Sequence, residues 1–147
     1  MGLMLTPATS KDIKKVFDWR NSPDIVSAGN NQTVIWDEHK TWFAETLADE
    51  NKFLLIVDNC GAVRLEREGK QAEISIYISE HRRGEGLGRK AIKEATRLAF
   101  ATWEIDEVIA TIKWGNKSSH DAFYDCGYLH KYYDKENRVN QLVNREK

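Results

Sequence analysis

Between residues 71 and 79 the chain alternates strictly, with Ile74, Ile76 and Ile78 on one side and Glu73, Ser75, Tyr77 and Ser79 on the other. That period of two predicts a strand with one apolar face. "FLLIVD" (53–58) and "AVRLER" (62–67) predict two earlier strands, separated by the turn-forming "NCG" and "EGK". Upstream the period is helical. Ile13, Val16 and Phe17 recur behind Thr9 or Ser10, either of which can cap a helix. That helix should end near "WRNSP", because Pro23 disfavours helix in the residue before it. A second helix is predicted from Asp37 through Trp42, Phe43 and Leu47 to Ala48. Downstream, Leu87, Ala91, Ile92, Ala95, Leu98 and Ala99 mark one face of a long helix. "EVIATIKW" (107–114) reads as a strand, and residues 118–126 as a short helix stopped by Gly127. "YLHKYY" and "VNQLV" close a hairpin around "DKENR", and Leu3–Leu5 read as a first short strand.

The order β-α-α-β-β-β-α-β-α-β-β mixes hairpins with helical crossovers. It predicts an α/β (α+β) fold, with a mixed, largely antiparallel central sheet of about seven strands flanked by about four helices. With 147 residues, 41% of them apolar, the chain can build one core, and residues 1–147 are read as one domain. Its 22 basic and 23 acidic side chains sum to −1, so no global basic field points to nucleic acid. Any anion site must be local. Cys60 and Cys126 lack CxxC spacing, so neither a metal site nor a disulfide is expected, and both read as reduced thiols in a cytoplasmic protein. No apolar run approaches the ~20 residues of a membrane span. The opening MGLMLT fits an N-myristoylation pattern with Gly2 and Thr6, but the first strand is the simpler reading.

The densest chemical signal is "ISEHRRGEGLGRKAI" (78–92), which puts Gly84, Gly86 and Gly88 and Arg82, Arg83 and Arg89 between a strand and a helix. Glycines weaken regular structure by roughly 0.5–1 kcal/mol each relative to Ala, so a run of them implies that exposed backbone is needed. Free N–H groups at a helix start bind anions, and arginine grips phosphate in a bidentate manner. Neither G-x-G-x-x-G nor a P-loop fits, because position 89 is Arg and no G-K-[ST] occurs.

Arg83, Gly86 and Gly88 match [RQ]-x-x-G-x-[GA], and Asn116, Ser119, Tyr124, Gly127 and Tyr128 in "NKSSHDAFYDCGY" form a second ordered motif. Together they resemble the acetyl-CoA signature of the GNAT (general N-acetyltransferase) superfamily over the C-terminal half. The resemblance implies direct attack of an amine on the acetyl thioester, with acetyl-CoA as co-substrate and no metal. It further implies that the backbone of Ile76, Tyr77 and Ile78 pairs with the pantetheine arm. Arg83, Gly84, Glu85, Gly86, Leu87, Gly88 and Arg89 would hold the diphosphate, Asn116 and Ser119 the far side of the coenzyme, and Tyr124 would be the general acid.

Several members of that family carry a glutamate base on the strand before the Asn motif, where this chain has Thr111 and Ile112. Glu73 is the substitute, acting through water. His120, next to Ser119, is expected to face solvent, and Cys126 to pack. "DWRNSPDI" and "WDEHKTWF" resemble the branch acting on UDP-linked 4-amino-6-deoxy sugars. On that resemblance Arg20, His39 and Trp42, with Tyr77, contact a small-molecule acceptor amine on a sugar nucleotide. An N-terminal acetyltransferase of a ribosomal protein and a silent acetyl-CoA sensor are the alternatives. Oligomeric state is left open, a homodimer included.

Overall fold

The computed structural model describes residues 5–28, 32–79 and 82–145. Seven strands, β1 (Leu5–Pro7), β2 (Lys52–Val57), β3 (Gly61–Glu68), β4 (Gln71–Ile78), β5 (Glu107–Lys113), β6 (Leu129–Asp134) and β7 (Val139–Asn144), form one sheet in the order β1-β2-β3-β4-β5-β7-β6. Every neighbouring pair is antiparallel except β4–β5. The strand predicted at Leu3–Leu5 enters the description at Leu5. The rest of it, with Gly2 of the lipidation pattern, lies outside the described residues.

The helices are α1 (Ile13–Arg20), α2 (Pro23–Ala28), α3 (Trp36–Ala48), α4 (Leu87–Thr102) and α5 (Lys117–Asp125). Thr9 caps a 3-10 turn ahead of α1, its hydroxyl accepting from Lys11 N while Asp12 accepts from Thr9 N at 2.9 Å. Among the described residues α2 is the addition to the about four helices expected. Pro23 ends α1 as anticipated but also opens a new helix, where its missing N–H would have been unpaired anyway. No helix among the described residues is long and apolar enough to cross a membrane.

Alternation along the strands splits the apolar side chains between two faces. Val63, Leu65, Ala72, Ile74, Val108, Ala110 and Leu142 pack under α4 and α5, where Ala91, Ala95 and Ala99 let α4 approach closely. Leu54, Ile56 and Ala62 meet Val16 of α1 and Phe43 of α3 on the opposite face. One opening interrupts this packing. β4 and β5 pair only at Gln71↔Glu107, Ala72↔Val108 and Glu73↔Ile109. Beyond these positions β4 stays with β3 as far as Ile78, and β5 stays with β7 as far as Lys113, so the sheet parts between them.

The closed end beneath α5 is pinned by Tyr128. It is 1% exposed, its ring is edge-on to Phe123, and its hydroxyl lies 2.7 Å from Thr96 Oγ1. Removing that hydroxyl strands the Thr96 group in a dry site. Tyr128→Phe is therefore expected to lower stability by about 1–2 kcal/mol in urea unfolding, with the slope of the transition unchanged.

Candidate active site

The parting of β4 and β5 opens a cleft of about 500 Å³. Ile74–Ile78 line one wall and Ala110–Lys113 the other, closed by the glycine loop, the first turns of α5, and Asp24 and Ile25 of α2. Ile74 and Ile76 belong to the α4 side of the sheet, whereas Ser75, Tyr77 and Thr111 belong to the α1–α3 side. The cleft thus passes through the sheet and is reachable from both faces.

Gly84 and Gly86 sit at φ +83° and +78°, in the left-handed region that favours glycine. A Cβ added at Gly84, Gly86 or Gly88 would meet nothing within 4 Å, so internal packing does not demand these glycines. The space they leave opens into the cleft. Gly86 is the N-cap of α4 and supplies no side-chain cap, so the first-turn N–H groups point at that space unpaired by a side chain. Gly84, Gly86, Leu87, Gly88, Arg83 and Arg89 all line the cleft, as do Ile76, Tyr77, Ile78, Asn116 and Ser119. Glu85 does not. Its carboxylate accepts from Arg82 Nε at 3.1 Å, and Arg82 also donates to Asp58 at 3.1 Å, so this pair braces the loop against the β2–β3 turn.

Arg83 donates from Nε to Ile78 O at 3.0 Å and forms an ion pair with Asp24. Partial desolvation works to raise the Asp24 carboxyl. The hydrogen bond and charge of Arg83, with help from its own backbone and Ser22, outweigh this and hold it below the usual carboxylate range. Lys113 Nζ donates to Ser27 O at 2.8 Å. The short helix α2 is therefore tied to both lips of the cleft. Arg89 Nε donates to Asp125 Oδ2 at 2.6 Å, joining α4 to α5.

On α5, Asn116 Oδ1 accepts from Ser119 N at 3.3 Å, and Ser119, Ala122 and Phe123 turn one face to the cleft. Tyr124, the expected general acid, is on the same helix. It is 44% exposed, does not line the cleft, and stacks loosely toward His120 at 6.3 Å. One helical residue is a rotation of about 100°, so the buried Phe123 faces the cleft and Tyr124 does not. His120 is also not simply solvated. Its Nδ1 donates to Asn116 O at 2.8 Å, and its Nε2 accepts from Asn140 Nδ2 at 3.0 Å. Cys126 donates to Arg89 O at 3.3 Å, and burial pushes its thiol up.

The α1–α3 side holds the remaining expected residues. Of the expected acceptor contacts Tyr77 lines the cleft, while Arg20, His39 and Trp42 do not, and His39 is completely buried. Its Nε2 donates to Ile13 O at 2.8 Å, so its Nδ1 accepts from Arg20 Nη1 at 3.1 Å. Desolvation first, and then the Arg20 charge, lower its pKa against the bond to Ile13, which favours the neutral ring. His39 positions Arg20. The Arg20 guanidinium lies 4.1 Å from the centre of the Trp42 ring, with that of Arg64 at 6.0 Å from the same ring. Arg64 is the cross-strand partner of Ser75, and so stands beside the cleft wall. The Tyr77 hydroxyl is buried without a hydrogen-bond partner. Desolvation raises this phenol, opposed by the charges of Arg20 and Arg64. Glu73 is exposed outside the cleft, its Oε2 accepting from Thr111 Oγ1 at 2.9 Å. No cluster of His, Cys, Asp or Glu able to hold a metal occurs among the described residues.

Asp24, Lys113 and Phe123, which line the cleft, and Arg64 beside it occupy no motif position in the sequence. Arg64 alone left a usable signal, because alternation in "AVRLER" sets it on one face of a strand predicted beside Tyr77's.

Residues 2–128 match the family model described as Acetyltransferase (GNAT) domain. The chain therefore belongs to the GNAT acetyltransferases, and it is an acetyl-CoA-dependent N-acetyltransferase. It is 26% identical over 128 residues, 79% of this chain and 80% of the relative, to acetyltransferase PseH of Campylobacter jejuni. The fold is similar to spermidine N-acetyltransferase from Vibrio cholerae in complex with CoA and spermine, with TM-score 0.87, 17% identity, and coverage of 97% and 94% of the two chains. It is also similar to aminoglycoside acetyltransferase AAC(6')-Ib in complex with coenzyme A, with TM-score 0.83, 16% identity, and coverage of 99% and 95%.

Two outcomes follow for coenzyme affinity measured by calorimetry. Gly86→Val fills the open space at the α4 N-terminus and should weaken acetyl-CoA binding about tenfold or more, equivalent to at least ~1.4 kcal/mol, with cooperative unfolding retained. Asp24→Asn removes a carboxylate that competes for Arg83, and should tighten binding.

Proposed function

We propose that the chain acetylates the primary amine of a nucleotide-linked amino sugar. The observation that carries this reading is the pair Arg20 and Arg64. Among the described residues neither forms an ion pair with a carboxylate, and both approach the Trp42 ring. None of the three lines the cleft, but Arg64 pairs across the sheet with Ser75 and both cations act on Tyr77, and Ser75 and Tyr77 do line it. Desolvation, and then the charge of Arg64, lower the pKa of Arg20, so the two cations stand in mutual repulsion that an anion would relieve. A diphosphate suits them, since guanidinium forks match phosphate oxygens, and the Trp42 face suits a planar base or sugar. The buried Tyr77 hydroxyl offers a further polar contact. Polycations such as spermidine or aminoglycosides would need carboxylates there, and Asp24 is the one acidic residue among the described ones lining the cleft. The similarity to PseH supports the same choice.

The cleft suits acetyl-CoA by its open glycines, its free first-turn N–H groups and its arginines. Bound acetyl-CoA supplies an activated thioester. The β5-facing backbone of Ile76–Ile78, left without a strand partner, serves the pantetheine arm, and residues 83–89 serve the diphosphate. Arg83 becomes available when Asp24 releases it. Asn116 and Ser119 line the far wall. Glu73 receives the proton of the incoming amine. In this reading the departing thiolate takes its proton from solvent.

The test is a panel of acceptors. A UDP-4-amino-4,6-dideoxy sugar should be acetylated with kcat/KM about a hundredfold or more above spermidine, kanamycin and a ribosomal N-terminal peptide, a difference of roughly 2.7 kcal/mol. Arg20→Ala should raise KM for the nucleotide sugar more than it lowers kcat, as for lost uniform binding. Faster turnover of spermidine, kanamycin or the peptide would overturn the reading.

A further inference from the structure

Glu73 is the last residue of β4 paired to β5, and Thr111 lies two residues past the last paired residue of β5, Ile109. The bond from Thr111 Oγ1 to Glu73 Oε2, 2.9 Å long, therefore crosses the gap where the strands part. Thr111 lines the cleft and Glu73 does not. A carboxylate accepts only, so the Thr111 hydroxyl must be the donor, which leaves its oxygen lone pairs free to accept from a group in the cleft. The neighbouring charges are otherwise engaged, since Lys113 is held at Ser27 O and Asp24 at Arg83.

We propose that Thr111 is the proton-relaying residue of the acetyl transfer, connecting the attacking amine to Glu73. This rests on the acetyl-transfer reading above, but not on which amine is the acceptor. As the amine nitrogen bonds the acetyl carbon and the carbon–sulfur bond breaks, a proton on the nitrogen passes to Thr111 Oγ1. The hydroxyl's own proton passes to Glu73 Oε2, and the leaving thiolate is protonated by water. Thr111 ends as it began, and Glu73 returns its proton to solvent, to which it is exposed. Thr111 on β5 thus reaches a carboxylate on the adjacent strand.

The test compares Thr111→Val, which keeps the β-branch and loses the hydroxyl, with Thr111→Ser, which keeps the hydroxyl. Rates are measured with whichever amine of the panel the wild-type protein acetylates fastest, so an error about the acceptor changes the assay and not the ratios. Thr111→Val should lower kcat about a hundredfold, the lower end of general acid–base contributions, while Thr111→Ser stays within about threefold. Glu73→Gln should match Thr111→Val, and the double variant should be no slower than Glu73→Gln alone, because both act in one step. Acetyl-CoA affinity by calorimetry and the melting temperature should be unchanged in Thr111→Val. Wild-type kcat in Thr111→Val, additive losses in the double variant, or a parallel loss of acetyl-CoA affinity would each overturn the relay.

Discussion

The loss of pairing between β4 and β5 beyond Glu73 and Ile109 is the constraint on which the rest of the site depends. Main-chain N–H and C=O groups are obligatory hydrogen-bonding partners, and a sheet that splits inside must offer them elsewhere. Here each strand keeps its outer neighbour, so the split leaves one row of groups on β4 open to a ligand while the two half-sheets remain packed. The same split lets a cleft pass through the sheet, with the glycine loop and α5 on one side and Glu73, Thr111, Tyr77 and Arg64 toward the other. A coenzyme and an acceptor can then meet from opposite faces.

Charge is distributed to suit that division. The chain as a whole is nearly neutral at −1, so attraction for anions is built from individual side chains rather than a field. The loop arginines are already engaged with Glu85, Asp58, Asp24 and Asp125, which keeps the loop shaped around its open glycines. Arg20 is held over Trp42 and by His39, and Arg64 stands 6.0 Å from the same ring, so among the described residues neither is neutralised by a carboxylate. The strap formed by α2 links the two regions, because the carboxylate on Arg83 belongs to the element that also holds Lys113.

The strands were legible because period two is unambiguous where one face is buried, as at Ile74, Ile76 and Ile78. The glycine loop was legible because its composition contradicts regular structure. α2 was not, since Pro23 carries two opposite signals and only tertiary context selects the second. Motif spacing places Tyr124 on α5 but says nothing of its direction: a step of one residue moves a side chain about 100° round a helix, and it is Phe123 that is buried and lines the cleft. His39 shares a helix face with Trp42 as expected, yet a spacing of three cannot say whether that face is a cleft or a core. Thr111 looked like an absence when read along β5 alone. Its bond to Glu73 joins residues 38 apart in sequence, which no local pattern reports.

On the proposed function, the coenzyme binds along the unpaired edge of β4 and at the start of α4. Amide hydrogen exchange with and without acetyl-CoA tests it most directly, because it reads those backbone groups themselves. Binding should slow exchange at Ile76–Ile78 and in residues 86–89, leaving the β2–β3 hairpin unchanged. Full acetyl-CoA occupancy without added protection at these amides would contradict the account.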